Sequence, residues 1–178
     1  MMLTLVAIVI LLALSAFFSG SETALTAASK PLMHKLETDG DNKAALVNRL
    51  RDDQEGLIGA ILLGNNLVNI LASALATGFL ISIFGQAGIA YATVGMTLLV
   101  LIFAEIFPKT FAIRTADQTA PAIAPTVNLV VKLLAPLTKM ISILVGGTLD
   151  ILGFRPTQND SNSNEAELLG AIALHEGA

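Results

Sequence analysis

Three hydrophobic runs, each long enough to cross a bilayer, dominate the chain, and polar residues interrupt every one of them. The first spans residues 3–28 and carries Ser19-Gly20-Ser21-Glu22-Thr23. The second spans 56–84, has no charge, and carries Gly64-Asn65-Asn66-Leu67-Val68-Asn69. The third spans 89–113 and carries Glu105-Ile106-Phe107-Pro108-Lys109. A hydrocarbon core ~30 Å thick needs about 20 helical residues at 1.5 Å each, so a soluble core is a poor destination for such runs. A carboxylate at bilayer depth costs about 2.5–3.5 kcal/mol on insertion scales, so it is kept for a partner or a function. Charged residues make up only 13% of the chain and hydrophobic ones 54%, where soluble domains carry about 25% charged residues. The fold class read here is an all-α integral membrane protein with three transmembrane helices.

The connections differ from the spans. Residues 30–55 alternate Lys30, Lys35, Lys43, Arg49 and Arg51 with Glu37, Asp39, Asp41, Asp52 and Asp53. Pro31 suits a helix start, and Asp39-Gly40-Asp41-Asn42 is a turn signal. Two readings fit: short amphipathic helices on the cytoplasmic surface, or a solvated connection. Residues 120–154 are apolar but broken by Pro125 and Pro136 and marked by Lys132 and Lys139, seven apart on one helix face. That pattern suits a kinked juxtamembrane helix lying in the interface with its lysines toward headgroups; a fourth crossing over Pro136–Leu152 is the alternative. Residues 155–178 read as a polar linker, with a new helix starting between Glu165 and His175, and the abrupt end predicts a further soluble domain.

Several function classes fall away. The first run lacks the basic n-region of a cleaved signal peptide, since no Lys or Arg precedes Lys30. No basic stripe interleaved with aromatics points to nucleic acid. With no cysteine there is no thiolate metal site or thiol nucleophile. No nucleophile–base pair or phosphate-cradling glycine loop appears, so an enzyme is not expected. Basic residues cluster in the first connection and after Ile113, and are absent from Gly85–Gly88. By the positive-inside rule the N-terminus is outside and the C-terminus cytoplasmic.

Measured from the cytoplasmic edge, Glu22, Asn65 and Glu105 each lie roughly 10–14 Å deep at 1.5 Å per residue. Alternating spans therefore bring the polar marks to one level. Asn65 and Asn69 share a helix face, as do Ser19, Glu22 and Thr23. Pro108 has no N–H, which in an α-helix leaves the Ala104 carbonyl without its donor, beside Glu105. Carboxylate, amide, hydroxyl and carbonyl oxygens, without imidazole or thiolate, suit hard cations such as Mg²⁺, Ca²⁺ or Na⁺. The bland alternatives stay open: asparagines bonding neighbouring helices, Glu22 as a protonated structural acid, and Lys109 paired with Glu105 one turn away.

Phe18-Ser19-Gly20-Ser21-Glu22-Thr23-Ala24, Gly64-Asn65-Asn66-Leu67-Val68-Asn69 and Ala104-Glu105-Ile106-Phe107-Pro108-Lys109, in that order and spacing, resemble the membrane domain of the CorC and cyclin M (CNNM) magnesium transporters, the DUF21-type domain. The resemblance covers residues 1–154. It implies a homodimeric magnesium transporter in the plasma (bacterial inner) membrane, usually a sodium-coupled exporter working by alternating access. Three spans and a belt-like juxtamembrane helix would be followed by a nucleotide-binding CBS pair beyond residue 178. Carried over by position, Ser19, Gly20, Asn65, Asn69 and Glu105 match the ion-site residues. The full candidate set is Ser19, Gly20, Ser21, Glu22, Thr23, Asn65, Asn69, Ala104 and Glu105, with Mg²⁺ as cargo and Na⁺ as coupling ion. Glu22 departs from the asparagine usual in eukaryotic members, which leaves its ligation open. The competing readings are a non-transporting membrane anchor or sensor for a cytoplasmic domain, and a transporter of another divalent cation.

Overall fold

The computed structural model describes residues 1–151, all of whose regular structure is helical. The polar linker and the helix read after Glu165 lie outside the described residues. Met1–Lys139 forms one compact unit, and a second begins at Met140.

Helix α1 covers Met2–Ala27, α2 Lys30–Thr38, α3 Asn42–Asp52 and α4 Gln54–Phe84. The third span is α5, Ala87–Leu99, then a π-helical stretch, Val100–Ile106, then α6, Phe107–Arg114; α7 runs Ala116–Ile151. Residues 30–55 are thus helical rather than a plain solvated connection. The caps are those their sequences encode. The Ser29 hydroxyl accepts from Leu32 N–H at the start of α2, and Pro31 occupies its first turn. The Asp41 carboxylate accepts from Lys43 and Ala44 N–H, and Asp53 accepts from Gly56 N–H. Gly40 makes the turn between α2 and α3 with φ +95°, a region costly for any residue with a Cβ.

Four helices among the described residues are long and apolar enough to cross a membrane, one more than the three spans read from sequence. The extra one is α7, which continues helically through Pro121, Pro125 and Pro136. A proline removes one backbone bond and adds a clash, yet an otherwise good helical sequence can carry it. Helicity alone does not separate a crossing from a belt. The first turns of α7 are tied to the bundle: Ala116, Ala120, Ala124 and Val127 are buried, and the Asp117 carboxylate accepts from Ser29 N–H at 2.7 Å.

The Met1–Lys139 unit has two apolar clusters. One gathers the end of α1 (Ala24, Leu25, Ala28), Met33 of α2, Ala44, Val47 and Leu50 of α3, Leu57 and Ile61 of α4, Ala112 of α6 and the start of α7. The amphipathic helices after α1 therefore close the basic end of the bundle. The other cluster holds Ile8, Ala72, Ala76 and Met96, from α1, α4 and α5. Between them α1 and α4 meet through Ser15 and Asn65, and through Gly64, which receives the Phe18 ring.

A Cβ on Gly64 would lie 2.7 Å from Phe18 Cζ and 2.8 Å from Cε1. Gly64→Ala is therefore expected to destabilise the α1–α4 contact by about 1–3 kcal/mol. Adding Phe18→Leu should recover part of that loss in a double-mutant cycle of thermal unfolding followed by circular dichroism. Simple additivity of the two changes would show that the ring does not need the space.

Candidate functional site

The polar layer between the two clusters is built mainly on α1 and α4. Ser15, fully buried, donates its hydroxyl to Asn65 Oδ1 at 2.7 Å. Asn69, one turn further along α4, donates Nδ2 to the same oxygen at 3.4 Å. Asn65 thus already accepts two bonds, whereas Asn69 Oδ1 is buried and has no partner. Ser19 and Ser21 are 1% and 2% exposed, and neither hydroxyl oxygen has a partner. In hydrocarbon no water reaches such atoms, and each orphaned polar group carries a desolvation cost. Two residues apart on one helix, these serines project about 200° apart, so they point to different surroundings.

The third span supplies the remaining pieces. Gly20 lies against Pro108; a Cβ there would stand 3.5 Å from Pro108 Cβ, an ordinary contact. With Ile8 and Met96 sharing one cluster and Gly20 meeting Pro108, the two helices run side by side. Glu105 then falls between the levels of Ser15 and Ser19. It lines a cleft of about 600 Å³ between α4 and the third span, together with Asn69, Ser73, Thr77, Thr93 and Thr97.

Around Glu105 the backbone is widened. Phe107 N–H donates to the Ile102 carbonyl, five residues back, the bond pattern of π-helix insertions that recur at functional sites. Pro108, which has no N–H to give, sits directly after this bond, where the chain returns to α-helix. Ala104 itself is fully buried.

The nine candidates therefore separate. Asn65 and Asn69 are bonded to each other, and Asn69 shares the cleft with Glu105. Glu22 lies 3.7 Å from Lys109, with both side chains nearly half exposed. Lys109 accordingly meets Glu22 and not Glu105, and Glu22 is charge-matched by a protein cation. The Thr23 hydroxyl returns to the Ser19 carbonyl at 3.2 Å. Among the described residues no three His, Cys, Asp or Glu side chains gather as a metal cluster. Any cation held here would meet a single carboxylate, Glu105, and otherwise amide and hydroxyl oxygens. Ser15 was not singled out in the sequence; its signal was its place one turn before Ser19. The hydroxyl residues of the cleft were also passed over, although each repeats at a helical turn.

A family model described as the cyclin M transmembrane N-terminal domain matches residues 6–178. A UPF0053 protein of Haemophilus influenzae is 36% identical over 93% of this chain and 40% of its own length. The UPF0053 inner membrane protein YfjD of Escherichia coli is 37% identical over 92% of the chain and 38% of its own length. A chloroplastic DUF21 domain-containing protein of Arabidopsis thaliana is 34% identical, over 94% and 27% respectively. The chain thus spans less than half the length of these relatives.

Proposed function

The chain belongs to the cyclin M transmembrane-domain family, and on that premise we propose that it is the membrane part of a magnesium transporter. It is a multi-pass membrane protein. In our reading Mg²⁺ enters from the side bearing the basic connection, passes Ser19 and sheds water between Glu105 and Asn69. It leaves on the other side after the bundle rocks, with Na⁺ moving the opposite way as coupling ion. Two copies of the chain form the working unit. The N-terminus is outside and the α2–α3 segment cytoplasmic, in keeping with where the lysines and arginines lie.

One observation carries the reading: three buried oxygen atoms, Ser19 Oγ, Ser21 Oγ and Asn69 Oδ1, have no hydrogen-bond partner. Buried polar groups are nearly always satisfied, so orphaned oxygens on two helices of a membrane bundle favour a guest that the protein binds. A small hard cation takes oxygen ligands of this kind. Gly20, Ser21, Thr23, Asn65 and Ala104 shape that layer, with Asn65 holding Asn69 in place.

Purified chain in liposomes loaded with a Mg²⁺-sensitive dye tests the proposal. Mg²⁺ entry is expected from the wild type, steepened by an opposing Na⁺ gradient, and lost in Asn69→Ala. Folded wild-type protein that carries no Mg²⁺ would favour the membrane-anchor reading, and preference for Mn²⁺ or Co²⁺ in competition would reassign the cargo.

A further inference from the structure

The cleft beside Glu105 extends well past the candidate ion layer. On α4 it is lined by Asn69, Ser73 and Thr77, and on the facing span by Thr93, Thr97 and Glu105. Asn69, Ser73 and Thr77 follow one another at every fourth residue, as do Thr93 and Thr97, so each set forms a stripe along one helix face, with Glu105 beyond Thr97 on the third span. From Asn69 to Thr77 the α4 stripe climbs about 12 Å at 1.5 Å per residue, toward the α4–α5 turn. Both stripes lie in spans that are otherwise apolar.

We propose that this cleft is a water-filled arm of the cation path, through which a hydrated cation passes between the Asn69–Glu105 level and the α4–α5 turn. This rests on the transport reading and adds the route by which the site communicates with one side. Three features carry it. The cleft, at about 600 Å³, holds a cation with its six-water shell, which takes up about 180 Å³ at ~30 Å³ per water. The threonine hydroxyls donate to their own helix, Thr77 to the Ser73 carbonyl at 2.8 Å, Thr93 to Ile89 at 2.9 Å and Thr97 to Thr93 at 2.7 Å. Their protons are thereby directed to the backbone, and the oxygen lone pairs remain for water in a cation's shell. At the inner end the unpartnered Asn69 Oδ1 and the Glu105 carboxylate replace that water. Ile70, Ala92, Met96, Val100 and Leu101 complete the lining, so the polar side chains form a strip within an apolar wall, and it is along that strip that the water lies.

The absence of native cysteine makes the test direct. Single variants Ser73→Cys, Thr77→Cys, Thr93→Cys and Thr97→Cys are treated, in liposomes, with a charged, membrane-impermeant thiol reagent added to one side at a time. Gln86→Cys in the turn marks which side is which, and Val94→Cys, 62% exposed and outside the cleft lining, serves as the lipid-facing reference. Reaction needs a thiolate, which forms in water and not in hydrocarbon. The four cleft positions are expected to react at least about tenfold faster than Val94→Cys, from the Gln86 side, and modification of Thr97→Cys should stop Mg²⁺ flux. Cleft cysteines as slow as Val94→Cys would overturn the proposal, as would full labelling with flux unchanged. Failure of the transport reading is seen separately, as absence of flux from unmodified wild type.

Discussion

Glu105→Ala is expected to weaken Mg²⁺ binding by at least about 100-fold, taking it out of calorimetric range, while the protein remains folded. Glu105 is the carboxylate that lines the cleft beside Asn69, and the other acid in the candidate set, Glu22, faces Lys109. Amide and hydroxyl oxygens can replace water around a cation but cannot offset its charge, and ligand charge strongly tunes affinity in oxygen sites. A 100-fold loss corresponds to about 2.7 kcal/mol, within the range for removing one member of a desolvated charged contact. Glu105→Gln separates charge from shape: it keeps an oxygen and the side-chain volume, and it should bind almost as poorly as the alanine variant. Glu22→Gln should change affinity little, because that side chain is nearly half exposed and its partner is protein. Calorimetry with unchanged Mg²⁺ affinity in Glu105→Gln would remove Glu105 as a ligand and leave the neutral oxygens as the site.

The spans and the helices between the first two of them were legible because length, charge pattern and helical rise determine them. Which side chain meets which was less so. A helix that is apolar all round carries little signal of the face its neighbour covers, so Ser15 opposite Asn65 went unnoticed. The same limit hid the facing stripes of Ser73, Thr77, Thr93 and Thr97. Lys109 was read against Glu105 one turn away, and the alignment of α1 with the third span gives it Glu22 instead. The π-helical turn from Val100 to Ile106 has no clear mark in the residues themselves. The helix read over 120–154 is present as α7, and the surrounding Ala-, Leu- and Val-rich sequence carries it helically past Pro125 and Pro136. The family motifs resembled those of a transporter, yet that Glu22 faces Lys109 while Glu105 lines the cleft beside Asn69 is a matter of packing that the motifs do not carry.

Gly88→Val is expected to be the most damaging single change to the fold, costing about 3 kcal/mol or more. Gly85 ends α4 with φ +62°, its N–H donating to the Ile81 carbonyl at 2.8 Å, and Gly88 N–H donates to the Gly85 carbonyl at 3.0 Å. The chain reverses so tightly that a Cβ on Gly88 would lie 2.4 Å from the Leu80 carbonyl carbon and oxygen and 2.6 Å from Ile81 N. These are backbone atoms inside a helix, which no side-chain rotation relieves, so α5 must move away from α4. That movement widens the cleft and separates Asn69 from Glu105. Stability and Mg²⁺ affinity should therefore fall together, unlike in Glu105→Ala, where affinity alone falls. Gly78→Ala, on α4 with nothing within 4 Å of the added methyl, provides the control and should melt at least as high as wild type. With no tryptophan in the chain, melting is best followed by far-ultraviolet circular dichroism in detergent. A Gly88→Val protein that melts and binds Mg²⁺ like wild type would mean that the hairpin has room at this turn, and that α4 and α5 are held in register by contacts elsewhere along the cleft.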